Sequence, residues 1–268
     1  MTFGLLPISL LLGSGALVGA TLGLIGGGGS VLAVPLLVYL VGVPSTHVAI
    51  GSSAVAVAAN AAWGLTTHAR MGTVKWPCAL VFGSAGVAGA FAGAALGKRL
   101  GGTELLALFG VVMVVIGAYM LFARPRPAND NVRLNLESAR HLLPRLLLIG
   151  AGVGLFSGFF GIGGGFLIIP GLMIATGMGL QNAIGTSLFA VTAFGAATAL
   201  SYAISGYVDW RIAAILIAGG AVGILLGTWA NVRLANRKRA LSMVFAGVVI
   251  AAGLYIVASG TMSLLSST

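Results

Sequence analysis

The sequence predicts an all-α, polytopic membrane protein built from two inverted repeats of about five helical segments each, eight to ten segments in all. The composition is the first observation behind this prediction. The chain of 268 residues is 59% hydrophobic and 7% charged, with a mean hydropathy of +1.10, whereas about 25% of the residues in a soluble domain are charged. Charge-free apolar stretches are the second observation, because each is long enough to cross a hydrocarbon core of about 30 Å. They include 48–67, 77–97 and 105–123.

The third observation is an internal duplication. Residues 23–35 read G-L-I-G-G-G-G-S-V-L-A-V-P, and 158–170 read G-F-F-G-I-G-G-G-F-L-I-I-P, so the second copy follows the first by 135 residues. Two further motifs repeat at an offset of 134: A-I-G-S-S at 49–53 with A-I-G-T-S at 183–187, and G-x-V-x-W at 72–76 and 206–210. Two copies of one unit, each with a glycine-broken apolar segment, are typical of secondary transporters.

The apolar segments fall into two repeats, 1–123 and 144–268, joined by a basic linker at 124–143. The first repeat has segments at about 5–25, 31–43, 48–67, 77–97 and 104–123, and the second at about 144–160, 166–178, 183–204, 211–231 and 240–260. The first two segments of each repeat are short and flank the glycine run. They predict either a hairpin pair or one long broken span in each repeat.

The distribution of positive charge favours the hairpins. With a hairpin in each repeat, the repeats have opposite orientations, and 11 of the 14 Lys and Arg residues collect on one face; the other face receives Lys98, Arg99 and Arg211. Cytoplasmic loops carry the Lys and Arg excess, so the crowded face is predicted to be cytoplasmic and both termini to lie on the other side. With single broken spans, the split is only eight against six.

The linker at 124–143 is the one long polar segment, and its basic residues suit anionic lipid headgroups. The excess of Lys and Arg on the predicted cytoplasmic face accounts for most of the net charge of +10, so nucleic-acid binding is not predicted. The expected location is the inner (plasma) membrane, as a multi-pass protein.

The glycine runs predict an anion site near the midplane, where the two breaks are expected to meet. A half-helix that begins inside a membrane presents free N–H groups and the positive end of its dipole, and glycine leaves that backbone accessible. The half-helices are predicted to begin near 29–31 and 164–166. The candidate backbone ligands are Gly26, Gly27, Gly28, Gly29, Ser30, Gly161, Gly163, Gly164 and Gly165. The alternative is that these glycines only permit close helix packing.

Hydroxyl groups in the A-I-G-[ST]-S motifs extend the predicted site. Ser52, Ser53, Thr186 and Ser187 open the third segment of each repeat, and their O–H groups suit an anion. Hydrogen bonding between helices is an equally good explanation of these residues.

Four further polar residues are candidates for coupling or gating. Asn60 is in the middle of an apolar segment, where an amide is costly unless it faces the interior. His47 and His68 are the near-membrane groups that titrate around neutral pH, and Asn182 aligns near His47. Proton coupling through these histidines and sodium coupling through carbonyls and hydroxyls both stay open.

The chain lacks several kinds of chemistry. Its four acidic residues lie outside the middle of the apolar segments, which argues against a carboxylate-lined cation pathway. The sequence contains no metal-ligand cluster, nucleotide-binding loop or nucleophile–base pair, so neither an enzyme nor a cofactor is predicted.

The paired glycine runs with their downstream prolines, Pro35 and Pro170, the A-I-G-[ST]-S motifs and the G-x-V-x-W segments together resemble the TauE/SafE family of sulfite and sulfonate exporters. The likeness covers about 5–260. It implies transport of sulfur-containing or organic anions such as sulfite or sulfonates, in either direction. It also implies that the glycine and Ser/Thr positions named above bind the substrate. Ser30 in the first copy and Gly165 in the second differ, and Ile162 interrupts the second run, so the two half-sites should suit one asymmetric ligand.

These features predict a secondary transporter that exports a small anion by alternating access, with one half rocking against the other. An anion channel would share the electrostatics without coupling, and a non-transporting membrane scaffold would bind no anion. Oligomeric state is left open by the sequence.

Overall fold

The computed structural model describes residues 5–122, 136–161, 165–233 and 238–265, and this part of the chain is almost entirely helical. Seven helical stretches among the described residues are long and apolar enough to cross a membrane. The protein is therefore an all-α polytopic membrane protein, as the sequence predicts. Ten α-helices follow in order: α1 (Leu5–Ile25), α2 (Ala33–Pro35), α3 (Thr46–Arg70), α4 (Trp76–Gly97), α5 (Gly102–Phe122), α6 (Leu136–Phe160), α7 (Gly165–Thr176), α8 (Leu180–Ile204), α9 (Trp210–Arg233) and α10 (Lys238–Leu265).

The predicted segments agree closely with these helices, with two differences in where helices begin. The first half-helix does not start at 29–31: a tight 3₁₀ helix runs from Gly26 to Leu32, and α-helical geometry begins only at Ala33. Glycines lack the side-chain constraints that favour the wider α-helix. Helix α6 begins at Leu136, inside the range predicted as linker, and residues 123–135 lie outside the described part.

The first apolar pair is a hairpin rather than one broken span. Gly26 adopts φ +70°, a left-handed conformation that reverses the chain after α1. The returning backbone packs against the helix it has just left, because Gly29 lies beside Thr21 and Leu22. Thr21 Oγ1 also lies 3.3 Å from the Gly29 carbonyl oxygen. Further back, Leu11 and Leu37 share an apolar cluster.

The second hairpin repeats this geometry. Gly161 takes φ +67° at the end of α6. Gly171 of α7 then lies beside Ile149 and Val153 of α6, so α7 runs back along α6. Residues 162–164, at the tip, lie outside the described part.

Helices α3 and α8 form the centre of the molecule. They are buried over 67% and 72% of their most apolar windows, against 33–44% for the other candidate spans. Gly195 of α8 lies beside Ala54 and Ala58 of α3, while Gly64 lies beside Leu188, so the two helices are antiparallel. Because α3 and α8 are equivalent helices of the two repeats, their antiparallel packing means that the repeats are inverted.

The outermost pair gives the same result. Gly110 of α5 lies beside Gly253 of α10, and Gly117 lies beside Ala246. These helices are also equivalent and antiparallel. The inversion therefore holds at the centre and at the periphery of the fold.

Each repeat lends its first helix to the other repeat. Helix α1 packs along α9, and α6 packs along α4. In the first pair Gly15, Gly19 and Gly23 face Leu216, Gly220 and Ile224, and in the second Gly150, Gly154 and Gly158 face the equivalent residues Phe82, Gly86 and Ala90.

These crossings are close because glycine occupies both helices. A Cβ on Gly19 would lie 2.2 Å from the Gly220 carbonyl oxygen, and one on Gly154 would lie 2.0 Å from that of Gly86. Membrane helices associate largely through such close packing, since lipid gives them no hydrophobic drive to pair. These glycines therefore permit close helix packing, and the two halves are interlocked.

The inverted arrangement predicts opposite accessibility for two equivalent loop residues. Met71 begins the loop after α3, Ser205 begins the loop after α8, and both side chains are exposed. In a Cys78→Ala background, we expect Ser205→Cys to react with a membrane-impermeant maleimide in intact cells. Met71→Cys should react only after permeabilisation. Labelling of both residues from the same side would contradict the inversion.

Candidate functional site

The two glycine breaks are covered by the central helices of the opposite repeats. Gly26 lies against Ile184 and Ser187 of α8, and Gly161 lies against Ile50 of α3. Ile50 and Ile184 are equivalent residues, so both contacts follow the internal twofold relation. The first turns of α3 and α8 are at opposite faces because these helices are antiparallel.

The two reversal points are at opposite ends of α3 and α8, but the broken segments themselves meet, because Gly26–Leu32 packs against α7. Each tip lies beside the first turns of one central helix, Gly26 beside α8 and Gly161 beside α3. The segments that approach one another come after the tips: Val31 and Leu32 share an apolar cluster with Leu167 of α7. Among the described residues, apolar side chains join the two broken segments.

Backbone groups at the first tip are bound by serine hydroxyls. The Gly27 N–H donates to Ser187 Oγ at 3.2 Å, and the Ser187 hydroxyl donates to the Ile184 carbonyl at 2.7 Å. Ser30 Oγ donates to the Gly27 carbonyl at 3.1 Å. The side chains of both serines are fully buried. A donor predicted for an anion is thus held by a protein oxygen in this conformation.

The other described glycines of the predicted site occupy different positions in the two hairpins. Gly28 and Gly29 are buried within the 3₁₀ helix. A Cβ on Gly29 would lie 2.3 Å from the Leu22 nitrogen, so this residue allows close packing. Gly165 begins α7. Gly163 and Gly164 lie outside the described residues.

The two duplicated motifs bind each other across the repeats. The Asp209 N–H, in the second G-x-V-x-W segment, donates to Ser52 Oγ at 2.9 Å. The Lys75 N–H, in the first such segment, donates to Thr186 Oγ1 at 3.0 Å. Each A-I-G-[ST]-S motif therefore holds the loop that follows the other central helix.

The motif glycines make this pairing possible. Gly51 packs against the Tyr207 carbonyl, and Gly185 packs against Thr73. The last motif serine bonds to its own helix at both positions, with Ser53 Oγ donating to the Ile50 carbonyl at 3.0 Å. Each of the four hydroxyls forms at least one hydrogen bond to a protein group, which agrees with the helix-bonding alternative for this conformation.

Each loop and the helix turn that it contacts form a closed layer at one end of α3 and α8. We call the layer of 71–75 and the first turn of α8 the Lys75 gate, and the layer of 205–209 and the first turn of α3 the Asp209 gate. Arg70 and Lys75 place the Lys75 gate on the predicted cytoplasmic face.

The candidate coupling residues divide between the gates and the centre. His68, in the last turn of α3, is 2% exposed and contacts the Lys75 gate, where its Nδ1 lies 3.0 Å from Thr73 Oγ1. His47 belongs to the Asp209 gate, with its ring 5.3 Å from that of Tyr207. At the offset of 134, the residue equivalent to His47 is Gln181 rather than its half-buried neighbour Asn182.

Asn60 lies at the centre, at a position where the twofold relation breaks down. It is 3% exposed and covers Gly220 of α9, while the equivalent Phe194 covers the equivalent Gly86 of α4. Phe194 also stacks on Phe82, with ring centroids 6.1 Å apart. One repeat has an amide where the other has an aromatic pair.

This difference leaves a cavity of about 10 Å³ in the first repeat, which is room for about one water molecule. Asn60 and Ser53 supply its polar lining; the remaining residues are apolar or glycine: Gly15, Val18, Ala33, Ala56, Val57 and Leu216. Aligning the two copies would have exposed the exchange of Asn60 for Phe194 from sequence alone.

Lys98 is a gate residue that the sequence did not single out. Its Nζ donates to the carbonyl and hydroxyl of Ser201, both at 3.0 Å, and to Ser205 Oγ at 2.8 Å. It also lies 5.7 Å from the centre of the Tyr202 ring. A cation that neutralises the carbonyl end of α8 is favourable, and no sequence motif carries that information.

Acidic and metal-binding groups are scarce in the part of the chain that the structure describes. Glu104 is exposed, and Asp209 caps α9 by accepting the Arg211 N–H at 2.9 Å. A search of the same residues finds no group of three His, Cys, Asp or Glu side chains that could hold a metal ion.

Comparison with known proteins gives a family match over nearly the whole chain. The model of a family described as sulfite exporter TauE/SafE matches residues 11–256. A "probable membrane transporter protein" of Xylella fastidiosa (strain 9a5c) is 47% identical over 92% of this chain and 93% of its own length. The "probable membrane transporter protein YdhB" of Bacillus subtilis (strain 168) is 27% identical over 82% of this chain and 87% of its own. No solved structure matches.

The pairing of the motifs predicts a loss of stability when one hydroxyl is removed. Ser52→Ala takes away the acceptor of the Asp209 N–H, and an unsatisfied buried donor costs about 1–3 kcal/mol. We expect a lower thermal midpoint in detergent than for the unaltered protein. Ser84→Ala is the matched control because the exposed Ser84 bonds only to its own helix. Equal midpoints for the two variants would contradict the structural role of Ser52.

Proposed function

The chain belongs to the TauE/SafE sulfite exporter family of membrane transporters, and from that premise we propose that it is a secondary transporter that exports a small anion, a sulfite or a sulfonate, across the plasma membrane. It is a transporter and not an enzyme. The observation that carries the proposal is the pair of buried, glycine-reversed hairpins in two inverted, interlocked repeats. Backbone of this kind inside a membrane is tolerated only in a protein interior or beside an aqueous cavity.

The polar groups of the interior support an anionic substrate. They are backbone N–H groups, hydroxyls and the Asn60 amide, all of which can donate to an oxyanion. The acidic side chains that the structure describes, Glu104 and Asp209, are exposed or engaged in a helix cap. A cation crossing this interior would find no described carboxylate along its path.

The first hairpin tip is the proposed anion site. The Gly27 N–H already binds one oxygen, that of Ser187, so the geometry suits an acceptor at this position. A sulfite or sulfonate oxygen would replace Ser187 Oγ when the tip separates from α8. The released hydroxyl keeps its own acceptor, the Ile184 carbonyl, and so the exchange leaves no buried hydroxyl hydrogen unpaired.

The interlocked helices indicate moving units that differ from the two halves expected from the sequence. The sequence suggests that one half rocks against the other, but α1 is packed on α9 and α6 on α4 through glycine contacts. Sliding either pair apart would break the closest helix crossings in the described structure. We propose instead that the first hairpin moves with α9 and the second with α4, around α3 and α8.

Alternating access then follows from the two gates. Separating 71–75 from the first turn of α8 would open the Lys75 gate, and separating 205–209 from the first turn of α3 would open the Asp209 gate. The hydrogen bonds to Thr186 and Ser52 hold each loop against its helix in this structure, which supports such paired openings. The twofold relation makes the two openings equivalent, which is what an inverted repeat provides.

The proposed anion site predicts a ligand-dependent stability that Ser187 modulates. A ligand that binds only the folded state raises its thermal midpoint. We expect sulfite, thiosulfate or sulfoacetate, but not chloride, to raise the midpoint of the purified protein. Ser187→Ala should have a lower midpoint without anion and a larger anion-induced rise, because the Gly27 N–H has lost its protein acceptor.

Thr192→Ala is the control for Ser187→Ala, since Thr192 lies on the same helix and bonds only to its own Leu188 carbonyl. If sulfur anions raise the midpoints of all three proteins equally, the anion binds elsewhere. If no anion in the panel raises any midpoint, the substrate assignment itself is wrong.

The gate mechanism predicts that a disulfide across the Lys75 gate stops transport. An ideal Cβ on Gly185 lies 3.1 Å from the Thr73 Cβ, near the separation of about 3.8 Å in disulfides. In a Cys78→Ala background, Thr73→Cys with Gly185→Cys should abolish anion flux in liposomes when oxidised. Reduction should restore it.

A disulfide within one moving unit is the control. Gly171 and Val153 face each other inside the second hairpin, with an ideal Gly171 Cβ 3.2 Å from Val153 Cγ2. Oxidising a Gly171→Cys and Val153→Cys pair should leave flux unchanged. Undiminished flux through the oxidised Thr73–Gly185 pair would refute the gate.

A further inference from the structure

The hydrogen bonds around His68 define which ring nitrogen carries its proton. Thr73 Oγ1 lies 3.1 Å from the His68 carbonyl and 3.0 Å from His68 Nδ1. A hydroxyl has one hydrogen, and the carbonyl can only accept it. Both bonds form together only if Nδ1–H donates to Thr73. The neutral ring then carries its lone pair on Nε2.

This Nε2 is buried and has no hydrogen-bond partner among the described residues. An unpartnered polar atom in a side chain that is only 2% exposed is unusual, because most such atoms are paired. The lone pair is a base held inside the protein, at the closed Lys75 gate. Nothing in the gate's own hydrogen bonding uses it.

A second unpartnered acceptor lies in the same gate. Gln181 Oε1, in the first turn of α8, is also buried without a partner. Gln181 and His68 are equivalent to His47 and Tyr202, whose ring centroids are 6.2 Å apart. The twofold relation therefore brings Gln181 near His68. Two acceptors cannot bond to each other, but a proton on Nε2 would convert one of them into a donor.

The charges around His68 make its protonation depend on an anion. Arg70 on its own helix and Lys75 in the loop are cations, and α8, which packs against this loop, has no charged residue. The same face also carries Arg140 and Arg145 of α6, Arg233 of α9 and Lys238 and Arg239 of α10, against one acidic residue of the described helices, Glu137 of α6. A positive His68 is therefore disfavoured until a negative charge arrives.

The proposed anion position and the His68 partner Thr73 lie against the same turn of α8, on different sides of the helix. Gly27 contacts Ser187, while the His68 partner Thr73 contacts Gly185 of the same turn. An anion at Gly27 would thus stabilise the protonated ring, and by linkage the proton would stabilise the bound anion by the same free energy.

We propose that His68 Nε2 is the proton-binding site that couples transport: it binds a proton together with the anion, and the new N–H donates to Gln181 Oε1. The proton adds to the Nε2 lone pair. The hydrogen bond from Nδ1–H to Thr73 Oγ1 is unchanged. Anion and proton then cross in the same direction. This inference rests on the proposed anion transport, while the proton site itself stands on the geometry of His68.

Nitrogen NMR of the ¹⁵N-histidine-labelled protein in nanodiscs tests the proton site without any substrate. The chain has three histidines, and the His68 signals are those lost in His68→Gln. We expect the Nδ1–H tautomer at alkaline pH and a doubly protonated ring on acidification toward about pH 5. An Nε2–H tautomer, or a ring that does not titrate, would overturn the proposal.

Proton uptake on anion binding tests the coupling. Methanesulfonate is the probe because its charge is constant across this pH range. In weak buffer with a pH-indicator dye, its addition should cause proton uptake by the unaltered protein and by His141→Gln, whose histidine is exposed. His68→Gln should bind methanesulfonate, seen as a raised thermal midpoint, with proton uptake lowered at least fivefold.

The outcomes separate the two proposals. Equal proton uptake by His68→Gln and the unaltered protein would refute coupling through His68 while leaving anion transport standing. Absence of any midpoint rise in the unaltered protein with methanesulfonate and with sulfite would refute the anion proposal. The NMR titration would still decide whether His68 binds the proton.

Discussion

A peptide group inside a bilayer needs a hydrogen-bond partner from the protein, because lipid offers none. This constraint governs the whole structure, since both hairpins reverse direction at a glycine within the apolar layer. Neither repeat covers its own reversal. Gly26 is covered by Ile184 and Ser187, and Gly161 is covered by Ile50, so each repeat depends on the other to bury its break.

The same exchange is found at every level of the fold. The first helix of each repeat packs on the fourth helix of the other, and each serine or threonine motif binds the loop of the other. The inverted arrangement makes these contacts pairwise equivalent, as in a symmetric dimer. Departures from this equivalence then stand out. The residue equivalent to Asn60 is Phe194, and the residue equivalent to His68 is Tyr202.

Much of the fold was accessible from sequence because it depends on local composition. Apolar runs end where loops begin, so the helices from Thr46 onward, apart from the start of α6, lie near their predicted limits, and the asymmetry of Lys and Arg favoured the inversion. Partnership between helices was not accessible, because a glycine on α1 carries no information about which helix it faces. The arrangement of the site could not be predicted for the same reason. The sequence identified Ser187 and Gly27 as candidates, but not the hydrogen bond between them, because they are 160 residues apart in the chain. That bond occupies the N–H group expected to bind the anion.

The exchange of first helices also bears on how the protein is made. Helix α1 leaves the ribosome first, but the α9 surface that fits Gly15, Gly19 and Gly23 is synthesised about 200 residues later, at 5–20 residues per second. For on the order of ten seconds or more, the glycine-lined side of α1 has lipid or insertion machinery as its only neighbour, and the Gly26 reversal has no α8 to cover it. Assembly therefore cannot proceed helix by helix along the chain. The N-terminal hairpin therefore stays without its packing partners α8 and α9 until they are synthesised. Newly inserted protein becomes stable only once the second repeat has entered the membrane.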